Sequence, residues 1–520
     1  VAVDDDTPYN IYGGLQDNSS QRGPSEIWEE GGIRNFHWQD VGISDGFDTI
    51  PDPRDSMTGY TLGEGGYLFH WDMHTGEKEH LQPVHPDPKV KLRFNWSAGF
   101  ELDPFNPDTV YIGSQFVHKS IDRGKTFEII SDDMTTNNTA WQRQDYSGGL
   151  VLDATGAENF TTIVSIAASP IQQGVIWIGT DDGRIHITEN GGETWMSRED
   201  NIRGVPKNSQ IPHIEPSPHD ASVAYVVFDN HRRSDMNTYV YRVERYGRRW
   251  TSLGNKDLRG HAYSIKQDPV DPDLLFLGTV FGLYVTLDGG KNWFKWTQGV
   301  PTSSVRDIAI QIRESDLVIA THGRGIFIID DYSALRNLSE KDFSGGMKLL
   351  SVTDGQQYRI KDSPSTSSPG SGEYRGTNEP YGAMITFMLS DPGLPIPNVV
   401  TQINLEDEKS EGKFKATIKI RNAKGNIIKT FYTSVYQGIN RIVWDMSLEK
   451  FRQYPSKKQP KALPGPAPRS AMHALQGEYG FTISYKEEQI SGLLNILADP
   501  RFDIAIENRQ ANNDGLMQLG

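Results

Sequence analysis

The first two thirds of the chain alternate short apolar runs with polar turns that are rich in glycine. Clear examples are TVYIGSQFVHKS and VIWIGTDDGRIHIT. Short apolar runs bounded by Gly, Asp and Asn are typical of antiparallel strands. Aligned on these runs, the segment divides into seven successive units of about four strands each. A repeat of this kind predicts the blades of a β-propeller.

A repeated turn occurs in three of these units, in SIDRGKTF, TENGGETW and TLDGGKNW. Each copy carries a hydroxyl residue, then Asp or Asn, then Gly and then an aromatic residue. The Asp or Asn side chain can accept hydrogen bonds from backbone N–H groups of its own turn, and Gly tolerates a positive φ. The residues are Ser120, Asp122, Gly124, Phe127, Thr188, Asn190, Gly192, Trp195, Thr286, Asp288, Gly290 and Trp293. Turn formation explains them without a catalytic role.

A different pattern begins after Leu335. Apolar and polar residues alternate in AMITFML, FKATIKIRNAKGNIIKTFYTSV and GEYGFTISYK. Alternation with a period of two predicts an antiparallel β-sandwich of immunoglobulin or fibronectin type. The predicted all-β chain is therefore a seven-bladed propeller over 1–335, a connector with a Ser/Pro/Gly-rich linker over 336–380, a sandwich over 381–500 and a polar tail over 501–520.

Composition and charge mainly exclude classes of function. The chain has 68 acidic and 52 basic residues without a basic stripe, which argues against nucleic acid and anionic membranes as partners. It has no cysteine, and therefore neither disulfides nor thiolate metal ligands. No apolar run approaches the ~20 residues of a membrane span. No signal peptide is recognisable, and we expect Val1 to begin a processed or truncated product.

Several segments resemble one family of large bacterial proteins. GGLQDNSS, TIVSIAASP, SPHDASVAYVVFDNHR and ATHGRGIFIIDD are similar to the Asp-box (BNR-repeat) "glycosyl hydrolase" and sortilin N-terminal (VPS10)-like β-propellers, and GINRIVWD continues the likeness. The resemblance implies the second-propeller half of such a protein with its C-terminal Ig-like domain, the companion propeller being absent. It also implies a secreted, extracellular or cell-surface location in a bacterium. A shared fold does not transfer chemistry.

The turns between second and third strands of the units should emerge on one face, because strands of a blade alternate in direction. We call this face the rim. Loops between units reach it too. Polar or aromatic residues expected there are Gln16, Asp17, Asn18, Glu64, Arg93, Asn95, Gln115, Trp141, Tyr146, Asp229, His231, His322 and Arg324. Polar groups that converge at the mouth of a propeller predict a binding site. Trp141, in a polar loop, suits a sugar platform or a plug on another subunit.

Two functions fit the rim. The preferred one is an extracellular binding or scaffold propeller that recognises a protein partner or a polysaccharide, including as a subunit of a larger surface assembly. The alternative is a xyloglucanase-like glycoside hydrolase that uses two carboxylates from Asp45, Asp181 and Asp182. The sequence Asp181-Asp182-Gly183 is equally typical of a hairpin turn. Sialidase chemistry is disfavoured, because Arg93 and Arg324 form only a pair of rim arginines.

No cofactor or metal ligand set is predicted, because the chain lacks an HExxH motif or a comparable histidine cluster. Calcium at the acidic loop DPFNPD is the one alternative that the residues leave open.

Overall fold

The computed structural model describes residues 1–143, 159–362, 372–396, 414–449 and 472–519. This part of the chain divides into two units, the first comprising Val1–Ile27 and Ile33–Tyr332 and the second Trp28–Gly32 and Ser333–Gly520. Strands dominate both units, which confirms the all-β prediction. Among the described residues, no helix is both long and apolar enough to span a membrane.

Seven antiparallel sheets follow one another through the described residues of the first unit, and each strand pairs with its neighbours in sequence. The first four sheets contain β1 (Ala2–Val3), β2 (Asn10–Gly14), β3 (Ser20–Pro24), β4 (Gln39–Asp40), β5 (Gly46–Asp52), β6 (Asp55–Gly63), β7 (Leu68–Asp72), β8 (Glu77–His80), β9 (Phe100–Leu102), β10 (Val110–Gly113), β11 (Val117–Ser120), β12 (Glu128–Ile129), β13 (Ile163–Ala168), β14 (Ile176–Thr180), β15 (Ile185–Thr188) and β16 (Met196–Ser197).

The other three sheets complete a ring. They contain β17 (Gln210–Pro216), β18 (Ala224–Asp229), β19 (Tyr239–Glu244), β20 (Arg249–Ser252), β21 (Ala262–Gln267), β22 (Leu275–Thr279), β23 (Gly282–Thr286), β24 (Phe294–Lys295), β25 (Val305–Gln311), β26 (Asp316–Thr321) and β27 (Gly325–Ile329). Strand β1 of the first sheet packs against β25 of the last. This closed succession of sheets is consistent with a β-propeller.

Short 3-10 helices interrupt the connections of the chain. They span Asn35–His37, Glu64–Gly66, Glu199–Asn201, His231–Arg233, Tyr332–Asn337 and Glu340–Ser344. In the described part of the chain, an α-helix, α1 (Ile506–Leu519), lies close to the end of the sequence.

The core of the first unit lies between neighbouring sheets. Trp177 of β14 and Val226 of β18 belong to one buried cluster, and Tyr225 of β18 and Leu277 of β22 belong to the next. Successive side chains of β18 point to opposite faces, so a run of apolar residues serves two neighbouring sheets. Trp293 closes the second cluster, and its indole N–H donates to the carbonyl of Leu253 at 3.0 Å.

The three repeated turns share one pattern of hydrogen bonds. The Thr286 hydroxyl donates to Asp288 at 2.8 Å and accepts the N–H of Gly290 at 3.0 Å. Ser120 and Thr188 make the same two bonds in their own turns. Gly290 has a φ of +92°, a conformation that favours glycine. Each turn joins the third and fourth strands of its sheet, at the end opposite to the rim.

The second unit contains two sheets around one core. Their strands are β28 (Gly346–Thr353), β29 (Gly355–Gln356), β30 (Ala383–Ser390), β31 (Lys415–Arg421), β32 (Ile427–Ser434), β33 (Gly438–Trp444), β34 (Gly477–Tyr485) and β35 (Glu488–Leu497). The sheet orders are β28-β30-β33 and β29-β35-β34-β31-β32. Phe387, Trp444 and Phe481 are buried in the shared core. Strands β28 and β29 occupy part of the segment predicted as a connector.

Candidate functional site

The rim is formed by the turns between second and third strands and by the connections between successive sheets. The turns carry Gln16, Asp17, Asn18, Glu64, Gln115, Asp181, Asp182, His231, His322 and Arg324, β18 ends at Asp229, and the connections carry Asp45, Arg93, Asn95 and Trp141. Tyr146 lies outside the described residues. These side chains differ in how many hydrogen bonds they already make to other residues of the protein.

Asp182 is fully buried and holds a neighbouring connection in place. One of its carboxylate oxygens accepts hydrogen bonds from the backbone N–H and the hydroxyl of Thr136, at 2.8 and 2.6 Å. The other oxygen accepts the hydroxyl of Thr180 at 2.5 Å. Three donors therefore surround the carboxylate, which anchors the chain that runs from the third sheet to the fourth.

Asp181 is also buried, with 4 % of its surface exposed. Its carboxylate accepts the backbone N–H of Thr162 at 2.9 Å, the Thr162 hydroxyl at 2.7 Å and the side-chain amide of Asn95 at 3.0 Å. Burial raises the pKa of Asp181 to about 7, although these hydrogen bonds act in the opposite direction. A raised pKa suits a general acid, but here the fold's own donors surround the carboxyl group.

The third catalytic candidate, Asp45, belongs to a different part of the rim. Its carboxylate accepts the backbone N–H of Asp17 at 2.7 Å, and its own N–H donates to the carboxylate of Glu64 at 2.9 Å. The structure thus brings Asp45 together with Asp17 and Glu64, and Asp181 together with Asn95. These hydrogen bonds do not pair Asp45 with Asp181 or Asp182. Their predicted catalytic role stays a prediction.

A cavity of about 400 Å³ opens beside the third sheet, and we call it the Arg93 cavity. Its lining residues are Val90, Lys91, Arg93, Gln115, Phe116, Asp133, Asn137 and Gln142. The Arg93 guanidinium donates to Asp133 at 3.0 Å, and the Arg93 backbone N–H donates to the Gln115 side chain at 2.8 Å. Trp141, adjacent to Gln142 in sequence, is 36 % exposed and contacts Phe160 edge to face. Two predicted rim residues, Arg93 and Gln115, therefore meet in one cavity.

A second group of rim residues forms where the fifth and sixth sheets meet, and we call Asp229, His231 and His261 the His261 cluster. Nδ1 of His231 lies 2.6 Å from one carboxylate oxygen of Asp229 and 2.8 Å from the other. The rings of His231 and His261 stack with centroids 4.3 Å apart. Burial lowers the pKa of His261, so its neutral form is favoured.

The sequence-based prediction includes Asp229 and His231 but not His261. No spacing motif links His261 to the other two residues, which lie about one sheet earlier in the chain. The one available signal is its position directly before β21, because the end of β18 and the start of β21 lie at the same end of their sheets. Strand direction therefore places His261 on the rim, beside Asp229.

The remaining predicted residues have simpler surroundings. Gln16, Asp17 and Asn18 are exposed in the first turn of the ring, as are His322 and Arg324 in the last. In the acidic loop considered for calcium, Asp103 accepts the hydroxyl of Tyr111 at 2.9 Å and backbone N–H groups of its own turn. Asp108 in the same loop forms an ion pair with Arg54 at 2.8 Å. These contacts explain both carboxylates as parts of the fold.

Charged side chains also lie on the first strands of the sheets, outside the rim. Lys266 of β21 forms an ion pair with Glu215 of β17 at 2.7 Å. Burial raises the pKa of Glu101, on β9, to about 8, and the nearby charge of Lys266 only partly opposes this effect. A carboxyl group in this position stays mostly protonated near neutral pH.

The chain is similar to known proteins at the level of structure only. No protein-family model matches the chain, and no curated protein does. Among solved structures, a GH74 xyloglucanase from Xanthomonas campestris matches with 14 % identity and a TM-score of 0.43, over 61 % of this chain and 50 % of that one. The extracellular domain of the putative one component system BT4673 from B. thetaiotaomicron matches with 12 % identity and a TM-score of 0.43, over 96 % and 57 %.

PorZ, a bacterial surface component of the type-IX secretion system of Porphyromonas gingivalis, matches with 10 % identity and a TM-score of 0.43, over 95 % of this chain and 59 % of that one. The chain thus spans between 50 % and 59 % of the length of these three proteins. Matches with such low identity and TM-scores do not indicate a shared activity.

Proposed function

We propose that the first unit is a seven-bladed Asp-box propeller that binds a polysaccharide through the Arg93 cavity, and that the second unit is an Ig-like sandwich that accompanies it. We further propose that the protein acts outside the bacterial cell or at its surface, as the sequence resemblance to secreted Asp-box proteins suggests. The observation that carries the binding function is the cavity itself, which combines hydrogen-bonding side chains with the ring of Phe116 and is lined by Gln142, the sequence neighbour of Trp141.

The chemistry of the lining suits a sugar. Each sugar hydroxyl both donates and accepts hydrogen bonds. The Gln142 amide nitrogen donates to Asn137 at 2.9 Å and to Thr161 at 3.0 Å, which leaves the Gln142 oxygen as an acceptor and the Asn137 amide nitrogen as a donor for a ligand. Lys91 adds a donor to the lining, and Asp133 adds a carboxylate that also accepts hydrogen bonds from Arg93 and Thr135. The ring of Trp141 offers an apolar face of the kind on which sugar rings pack. A cavity of about 400 Å³ lies within the usual range for small ligands or single units of a longer chain.

The surroundings of the candidate carboxylates favour binding over hydrolysis. A glycosidase needs two carboxyl groups that reach the same glycosidic bond, one as acid and the other as base or nucleophile. Asp181 and Asp182 are buried and surrounded by donors of the fold, and Asp45 is bonded to another part of the rim. Hydrolysis therefore has weaker support than recognition.

Binding can be tested on the full chain by affinity electrophoresis against plant, algal and microbial polysaccharides, followed by calorimetry with fragments of the best ligand. We expect Trp141→Ala and Lys91→Ala each to weaken binding by about tenfold, which corresponds to about 1.4 kcal/mol. Phe294→Ala is the matched control, because Phe294 is an exposed aromatic residue on β24 of the sixth sheet.

Two results would contradict the proposal. One is a folded protein whose migration no polysaccharide of the panel retards. The other is unchanged affinity of both Trp141→Ala and Lys91→Ala for a polysaccharide that the parent chain binds. Release of new reducing ends, measured on the same mixtures, would instead support the hydrolase.

A further inference from the structure

We propose that Asp229, His231 and His261 form a binding site for a divalent transition metal ion of the Zn²⁺ class, with at least one coordination position left open on the rim. The proposal is independent of the polysaccharide site, which lies in another part of the ring. It rests on the donor set, on the distances between the donors and on one buried nitrogen that the fold leaves without a partner.

The donor set is typical of zinc and of related ions. Two imidazoles and one carboxylate bind catalytic Zn²⁺ in several enzyme families, and imidazole also suits copper, iron and nickel. One possible ligand atom from each residue lies within 4.8 Å of the others. Atoms that bind one ion at about 2 Å lie no more than about 4 Å apart. The distances are therefore close to those of a site, but the His231 and His261 rings stack at an angle of 11° and an imidazole directs its lone pair within the plane of its ring. Binding of one ion thus requires the partly exposed His231 ring to turn out of this stack.

The nitrogen without a partner belongs to His261, which is 4 % exposed. Its Nε2 is 2.7 Å from the hydroxyl oxygen of Tyr263. Its Nδ1 is buried and has no hydrogen-bond partner within the described part of the chain. A buried polar atom without a partner is costly, and such atoms often mark a position for an ion or ligand.

The contact between His261 and Tyr263 has the form of the outer contact at known metal sites. Histidine ligands commonly bind the metal through one ring nitrogen and donate the N–H of the other to an oxygen. A bond from Nε2–H to Tyr263 fixes the tautomer in which Nδ1 carries the free lone pair. His261 would then bind the ion through Nδ1, with the ring held in place by Tyr263.

The charges around the site indicate what the open position would accept. The Asp229 carboxylate offsets part of the charge of a divalent ion, and the guanidinium of Arg306 lies over the Tyr263 ring at 4.0 Å. With one carboxylate and a nearby guanidinium, the occupied site keeps a net positive charge. We therefore expect an anionic oxygen at the open position, from hydroxide or from a carboxylate of a bound molecule.

The test uses the full chain, stripped with a chelator and titrated with ZnCl₂ in a calorimeter. We expect one equivalent to bind, and we expect Asp229→Asn and His261→Gln each to weaken binding at least 100-fold. His74→Gln is the matched control: His74 pairs with Asp55 at 3.0 Å, as His231 pairs with Asp229, but has no second histidine in a candidate cluster. That variant should bind Zn²⁺ like the parent.

Two further measurements separate metal binding from folding. Asp229→Asn keeps the shape of the side chain and an oxygen that can accept the His231 N–H, so circular dichroism should match that of the parent. Tyr263→Phe removes only the outer contact and should weaken Zn²⁺ binding about tenfold, because outer partners of metal ligands have effects of this size. Co²⁺ added to the stripped protein should give the visible absorption of a site with fewer than six ligands.

The proposal is overturned if the stripped parent binds no stoichiometric Zn²⁺. It is equally overturned if Asp229→Asn, folded like the parent, binds Zn²⁺ with unchanged affinity. Loss of binding in His74→Gln to the same extent as in His261→Gln would also refute it, because the effect would then not depend on the cluster.

Discussion

Replacing Asp182 by alanine would distinguish a carboxylate that supports the fold from one that performs catalysis. The substitution removes the acceptors of three hydrogen bonds, two from Thr136 and one from Thr180. Thr136 lies 46 residues away in sequence, in the connection that leads from the third sheet to the fourth. Loss of the carboxylate should therefore release this connection from the fourth sheet.

The expected cost follows from these contacts. A hydrogen bond to a charged group contributes about 1.5–3 kcal/mol, and a buried donor left without an acceptor costs about 1–3 kcal/mol. Because the connection can open towards water, we expect a total of about 3 kcal/mol rather than the full sum. Asp182→Asn keeps an oxygen that can face Thr136, and we expect its cost to be about 1 kcal/mol.

Hydrogen exchange followed by mass spectrometry measures the loss of stability in individual peptides of the chain. A loss of about 3 kcal/mol corresponds to exchange roughly 100-fold faster in peptides that contain Thr136. Asp45→Ala is the control, because Asp45 accepts one hydrogen bond, from Asp17, in an exposed turn. Exchange near Thr136 that stays as slow in Asp182→Ala as in the parent would refute the reasoning. Lost polysaccharide cleavage in that same variant would then favour the catalytic role.

Three further changes test other parts of the first unit. Thr286→Ala removes the two hydrogen bonds that the Thr286 hydroxyl makes within the turn, at 2.8 and 3.0 Å. It should lower the unfolding free energy measured in urea by about 1–2 kcal/mol. An unchanged urea midpoint would contradict this prediction. Burial raises the pKa of Glu101 from 4.5 to about 8, so the folded chain keeps a proton that the unfolded chain loses, and stability should fall as the pH rises between these values. In thermal unfolding, Glu101→Gln should reduce this pH dependence of stability. Glu128→Gln, at an exposed position, should leave the pH dependence as in the parent. The same pH profile of stability for both variants would show that Glu101 is not the group responsible. Gly14→Ala would place a Cβ 2.1 Å from the carbonyl carbon of Gly46. We expect this clash to lower the unfolding free energy measured in urea by more than about 2 kcal/mol. A variant as stable as the parent would contradict this prediction.

The all-β fold could be predicted because the relevant signals are local. Each repeated turn carries its own chemistry within eight residues of sequence, and the hydrogen bonds of Thr286 recur at Ser120 and Thr188. The apolar runs likewise mark most strands of the first unit. Pairing over long distances leaves no such mark. Trp28–Gly32 belongs to the second unit, where Glu29 bridges Lys361, and nothing in the local pattern near residue 28 predicts that partner.

The location of the rim follows from strand direction alone, so the sequence is enough to assign residues to it. Which rim side chains remain available to a ligand depends on contacts between distant segments. The sequence DDG marks Asp181 and Asp182 as turn residues, but their burial depends on Asn95, Thr136 and Thr162, which come from other connections. A carboxylate in a turn therefore looks the same in sequence whether it faces solvent or is surrounded by donors.

His261 illustrates the converse case, in which a residue without any sequence motif becomes the most informative member of the rim. Polar character alone does not mark a site, because the fold supplies donors to Asp181 and Asp182 and acceptors to Arg93 and so accounts for their positions. The fold supplies a partner to one nitrogen of His261 and leaves the other buried without one. Nε2 of His70 and Nδ1 of His118 are also buried without a partner among the described residues, so this feature alone does not mark a site. His261 differs from them because a second imidazole and a carboxylate lie beside it, and together these features favour a ligand for its Nδ1.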